Sequence, residues 1–100
     1  MGKSIVVVCE CEKCLQILQN AGKELGINIK GEVQLENKIK GELEIKDIKE
    51  STAILFSVNK PVEEIENIER FIDFEYYEVE PKFILEDAKA VLKEILSELN

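Results

Sequence analysis

Residues 4–25 read SIVVVCECEKCLQILQNAGKEL, and a change of period inside that stretch sets the architecture. Ser4–Cys9 is a continuous apolar, β-branched run bounded by charge. That is the pattern of a strand buried on both faces, as in a parallel sheet. From Lys13 to Leu25 the period lengthens. Cys14, Leu18, Ala21 and Leu25, with Ile17 alongside, recur at three- and four-residue spacing and mark one apolar helix face. Gly26 follows the last periodic residue, where a left-handed C-cap is expected.

The same alternation runs outward through the chain. Ile27–Leu35 predicts a second strand, with Ile27, Ile29, Val33 and Leu35 apolar and Gly31 interrupting it. Asn37–Gly41 reads as a polar loop, and Ile45–Glu50 as a short helix with Asp47 near its start. Thr52–Val58 is a third strand of the buried type, broken by Asn59-Lys60-Pro61. Pro61 suits the first turn of a helix outlined by Val62, Ile65, Ile68 and Phe71. Phe74–Val79 is an aromatic-rich fourth strand. Pro81–Leu99 is a final helix carried by Ile84, Leu85, Ala88, Val91, Leu92, Ile95, Leu96 and Leu99. Four strands alternating with four helices predict one α/β domain over residues 1–100. It is a three-layer doubly wound fold, with a four-stranded parallel sheet and helices on both faces. Ligands of such sheets bind at the carboxyl ends of strands near the switch point, and the cysteines lie at the carboxyl end of the first strand.

Composition bounds the function. The 100 residues are 45% hydrophobic and 34% charged, enough apolar matter for one core under a charged surface. No apolar run approaches the roughly 18 residues of a membrane helix. Met-Gly-Lys-Ser followed by a short β-branched run does not make a signal peptide, so a cytoplasmic protein is expected. The net charge of −8 is uneven: residues 1–40 carry six Lys and five Glu, residues 41–100 seven basic and sixteen acidic groups. Nucleic acid is disfavoured as a partner, because its binding draws on basic phosphate contacts. The acidic half is either a solvated surface or a face that docks a basic patch on a partner protein. Absence of His removes imidazole bases and His-ligated metals, and no cofactor is expected.

The three cysteines crowd into Cys9-Glu10-Cys11-Glu12-Lys13-Cys14, unlike the spaced framework of a secreted disulfide scaffold. Cys11 falls between a strand end and a helix start, where free backbone N–H groups and the helix dipole favour a thiolate. Such a thiolate could attack an electrophile, and the same N–H groups could hold a phosphate. Glu10 and Glu12 flank it with opposing charge, offset only by Lys13. Cys9 belongs to the strand and Cys14 to the apolar helix face, so both also read as small core residues. A thiophilic metal would find three soft ligands but no fourth, and no metal is expected. Cys11 and Cys14 also have the Cys-x-x-Cys spacing of a redox pair, without the Trp and Pro that surround it in thioredoxin-like domains.

Several segments, taken together, resemble a known family. Glu32 and Gln34 match its Glu-Thr-Gln at the end of strand two. Glu42-Leu43 and Asp47-Ile48 fit its Glu-Leu-Thr-x-x-Asp-Ile stretch, and Ala53-Ile54-Leu55-Phe56 its third strand. Glu69-Arg70-Phe71, Tyr77-Glu78-Val79 and Ala90-Val91-Leu92 fit its later pieces, while Ile5–Val8 and Lys23-Glu24-Leu25-Gly26 are typical of its start. The chain thus resembles the fructose-type IIB domain of the bacterial phosphoenolpyruvate-dependent sugar phosphotransferase system.

The resemblance implies a phosphoryl carrier. Cys11 would accept phosphate from a phosphohistidine on a IIA-type donor and pass it to a sugar held by a membrane IIC-type permease. One departure lies at the site itself. The family continues from its Cys as Pro-Thr-Gly-Ile-Ala-His-Thr, a loop that wraps the phosphoryl group, whereas here Cys11 runs straight into Glu12-Lys13-Cys14. Cys11 alone carries over, leaving the backbone amides of Glu12 and Lys13 as the phosphate-binding candidates. Two other readings stay open: a IIB-like docking domain without phosphotransfer, and a metal or redox protein using Cys9, Cys11 and Cys14.

Overall fold

A computed structural model describes residues 3–36, 38–65 and 67–99, leaving the side chains of Val62 and Leu99 aside. The first strand, β1 (Lys3–Cys9), leads into helix α1 (Glu12–Leu25) and strand β2 (Ile27–Leu35). Strand β3 (Lys38–Lys40) and helix α2 (Ile45–Glu50) follow, then strand β4 (Ala53–Ser57). Two 3₁₀ turns, Val62–Glu64 and Ile68–Phe71, precede strand β5 (Tyr76–Glu78) and helix α3 (Pro81–Leu99).

The sheet order is β3-β2-β1-β4-β5. The β1 strand pairs parallel with β2 and with β4, and β4 pairs parallel with β5. Helical elements cover both faces, so the doubly wound class holds. The strand count does not: β3 adds a fifth, antiparallel strand against β2, with Val33 opposite Lys40 and Leu35 opposite Lys38. The stretch read as a polar loop therefore folds back as the far arm of a hairpin, its Asn37 lying outside the described residues.

Residues of β1 alternate between two cores. Ile5, Val7 and Cys9 face α1 and α3, meeting Cys14, Leu18, Ala21, Ile84, Ala88 and Leu92. Val6 and Val8 face the other way, onto Leu43, Ile48, Phe56, Ile65 and Phe71. The apolar run of β1 is thus a strand covered on both sides, as its sequence requires. On the second face Phe71 meets Phe56 edge-on, with ring centroids 5.2 Å apart.

The interruption at Gly31 has a packing cause. A Cβ there would lie 2.2 Å from Leu15 Cδ1 and 2.6 Å from Val7 Cγ2, so only glycine lets α1 cross β2 this closely. Gly26 ends α1 at φ 75°, the left-handed cap expected of it.

The segment after Pro61 departs from the helix read there. Val62, Ile65, Ile68 and Phe71 recur at strict three-residue spacing, which matches the 3.0-residue turn of a 3₁₀ helix rather than the 3.6 of an α-helix. Two short 3₁₀ turns result, separated near Asn67, whose φ of 55° is left-handed. Strand β5 is shorter than Phe74–Val79, because Phe74 turns into the second core instead. Helix α3 keeps its bounds but is non-helical at Asp87 (φ −161°, ψ 85°). Asp87 Oδ1 there accepts the Ala90 N–H at 3.1 Å, restarting the helix. Leu85, read as part of the apolar face, is exposed.

Candidate functional site

The order of strands reverses at β1, which has β2 on one side and β4 on the other. The crevice outside the carboxyl ends of β1 and β4 is therefore the switch point. Cys9 and Ser57 sit opposite each other at those two ends. Two residues on, Cys11 is the N-cap of α1, with extended backbone (φ −144°, ψ 153°). Its side chain is exposed.

As N-cap, Cys11 makes no side-chain hydrogen bond to the backbone N–H groups of the first turn. The leading N–H groups of α1, including those of Glu12 and Lys13, lack intrahelical acceptors beside its sulfur. The flanking carboxylates are both engaged elsewhere. Glu10 Oε1 accepts the backbone N–H of Asn59 at 2.6 Å, tying the end of β1 to the loop after β4. Glu12 pairs with Lys40 of β3, whose hydrogen bond and charge hold the Glu12 carboxyl below its usual range. Lys13 is exposed at the same turn.

The other two thiols are unlike Cys11. Cys9 is fully buried, and burial, then the nearby Cys14 and Cys11, push it up to about 12. Cys14, at the third helical position, is also buried and is pushed up to about 11, first by burial and then by its contact with Cys11. Cys11 Sγ lies 3.4 Å from Cys14 Sγ. Near neutral pH burial keeps both groups in the protonated thiol form. Among the described residues no three His, Cys, Asp or Glu side chains converge as a metal site. Ser57 Oγ is buried without a hydrogen-bond partner beside this cluster.

The conspicuous polar residues of the sequence comparison gather elsewhere. Glu32, fully buried on β2, accepts the Leu43 N–H at 2.9 Å and the Gln34 amide at 2.6 Å. Arg70 Nη1 and Nη2 donate to its two oxygens at 2.7 and 2.9 Å, a bidentate pair. Arg70 Nη1 also donates to the Leu43 carbonyl at 2.8 Å. Burial raises the Glu32 carboxyl, but Arg70, Leu43 and Gln34 together hold it below its usual value. Glu32, Gln34 and Arg70 thus form a joint that clamps β2 to the second 3₁₀ turn. Sequence matching found these residues but not their role, since the partners are 38 positions apart.

A mostly parallel open α/β sheet, with an exposed cysteine at the N-cap position of its first helix beside the switch point, defines a class of small doubly wound domains. Comparison with known proteins narrows it. No protein-family model matches the chain. Over 102 aligned residues it is 31% identical to the PTS system fructose-like EIIB component 1 of Shigella flexneri, covering 95% of this chain and 92% of the relative. The Escherichia coli K12 protein of the same name gives the same identity and coverage. The solution structure of the Enzyme IIB subunit of the PTS system from Escherichia coli K12 superposes with a TM-score of 0.87 at 29% identity, covering 99% of this chain and 95% of that one. The chain belongs to the fructose-like EIIB family of the sugar phosphotransferase system. No helix among the described residues is long and apolar enough to cross a membrane.

Proposed function

We propose that this chain is a phosphoryl carrier in sugar uptake, with Cys11 as acceptor. The thiolate of Cys11 attacks the phosphorus of a phosphohistidine on a IIA-type donor. The S–P bond forms as the N–P bond breaks, and the electron pair of that bond returns to the donor imidazole. A hydroxyl of a sugar held by a membrane IIC-type permease then attacks the same phosphorus. An O–P bond forms, the thiolate is released, and the hydroxyl proton goes to solvent. The N–H groups of Glu12 and Lys13 face the negative charge of the phosphocysteine, acting as fixed donors.

The observation that carries this reading is the pairing of an exposed Cys11 with an uncapped helix N-terminus at the switch point. The engagement of Glu10 by Asn59 and of Glu12 by Lys40 supports it, because both carboxylates are drawn into other contacts. With no wrapping loop between Cys11 and α1, a second reading is a domain that docks its donor without taking phosphate.

The test is intact-mass measurement after incubation with a phosphorylated fructose-type IIA donor. A thiol-linked phosphoryl adduct on the wild type and on Cys14→Ala, absent from Cys11→Ser, is the expected result. No adduct, with donor binding still detectable, would overturn carriage in favour of docking.

A further inference from the structure

The Cys11 and Cys14 sulfurs are closer than carriage requires. Only Cys11 has a task in phosphoryl transfer, yet Cys14 Sγ stands 3.4 Å from it. We propose that Cys11 and Cys14 form a reversible intramolecular disulfide, a modification site that withdraws the acceptor thiol under peroxide stress.

The geometry favours this pair over any other. N-cap and third helical positions lie over one another on the same side of the first turn, the arrangement that lets capping boxes close. The sulfurs must approach from 3.4 Å to the disulfide length of about 2.05 Å. Cys11 is exposed, and Cys14 is held by α1 against the core. Cys9 sits in the same cluster, but it is fully buried in the core at the end of β1. The short passage from Cys11 into α1 leaves the exposed sulfur open to a small oxidant.

The chemistry balances with peroxide as oxidant. The Cys11 thiolate attacks one peroxide oxygen, the O–O bond breaks, and a sulfenic acid forms while hydroxide leaves and is protonated to water. The Cys14 sulfur, giving up its proton, then attacks the Cys11 sulfur, and the sulfenic oxygen departs as a second water. Two thiols are oxidised by two electrons and one peroxide is reduced to two waters. A dithiol reverses the bond by exchange. Formation of the disulfide is independent of the function proposed above. Only its consequence, loss of phosphoryl acceptance, rests on that reading.

The experiment treats the reduced full chain with hydrogen peroxide and follows intact mass, free thiols and a peptide map. The expected result is loss of two hydrogens, a fall from three free thiols to one, and a Cys11–Cys14 link that dithiothreitol removes. Cys9→Ala retains the link, whereas Cys14→Ala gains oxygen at Cys11 instead. Three thiols surviving the treatment, oxygen added to Cys11 with Cys14 free, or a link through Cys9 would each overturn the proposal. Incubation of both forms with the phosphorylated IIA donor separates the two ideas. An adduct on the reduced form, abolished on the oxidised form and restored by dithiothreitol, supports the switch. A link that forms in a chain taking no phosphate even when reduced would refute carriage and leave the disulfide standing.

Discussion

The Glu32–Arg70 joint and the Cys11 turn lie on the same sheet and follow opposite rules. At the joint every polar atom described has a partner, and the carboxylate is fully buried. At the turn the sulfur is exposed, and the helix N-terminus receives no side-chain cap. Residues matching the family most visibly, Glu32, Gln34 and Arg70, therefore serve architecture. The residue expected to do chemistry stands where the fold is least closed. Resemblance across a chain reports first on what holds the fold, and a shortened loop at the reactive end leaves that report untouched.

The largest effect that sharpens this contrast is at the joint. Arg70→Met strands a buried carboxylate, and urea unfolding should register a loss of about 3–5 kcal/mol. Replacing Glu32 by Met in the same chain should recover much of that loss, since a removed pair is cheaper than a broken one. The wild type should also show an acid limb. A carboxyl held low in the folded state adds stability above its unfolded value of about 4.3. That contribution fades as pH falls through the lower folded value. Stability measured from pH 7 downward should lose this limb in Arg70→Met.

An intermediate effect is expected under the turn. Gly31→Ala forces a methyl against Leu15 and Val7, and overpacking at such a crossing costs about 1–3 kcal/mol. Because α1 carries Cys11 at its start, the same variant should alter Cys11 alkylation, whereas Arg70→Met should not. If both variants changed alkylation equally, the two regions would not be independent.

The smallest effect is at the turn itself. Lys40→Ala frees the Glu12 carboxylate beside Cys11 and should slow alkylation of that thiol by about two- to threefold at low salt, with the difference shrinking as salt is added. Unfolding midpoints of the two proteins should nearly coincide. A large drop in stability would make the Glu12–Lys40 pair part of the fold and blur the contrast.

Much of the fold was legible because burial imposes a period. The Ser4–Cys9 run, the Cys14-Leu18-Ala21-Leu25 face and the Pro81–Leu99 helix all declared themselves in sequence, as did Gly26 as a cap. Strand β3 did not, because three residues, Lys38-Ile39-Lys40, are too few to establish an alternation. The 3₁₀ turns were visible only to a reader who took strict three-residue spacing at face value. At the site, the placement of Cys11 was legible from the join between strand and helix. The engagement of Glu10 and Glu12 was not, since Asn59 and Lys40 lie 49 and 28 residues away in the chain. The Cys-x-x-Cys spacing did single out Cys11 and Cys14, whose sulfurs lie 3.4 Å apart.

The two margins of the sheet carry a consequence for how this domain meets other proteins. Its outermost strands, β3 and β5, have three residues each, and β3 bears Lys38 and Lys40. Short, charged borders offer a foreign backbone little to zip onto. Recognition by strand addition is thereby discouraged, so a visiting protein must read side chains and helix ends, and the molecule gains protection from sheet-to-sheet stacking by the same economy.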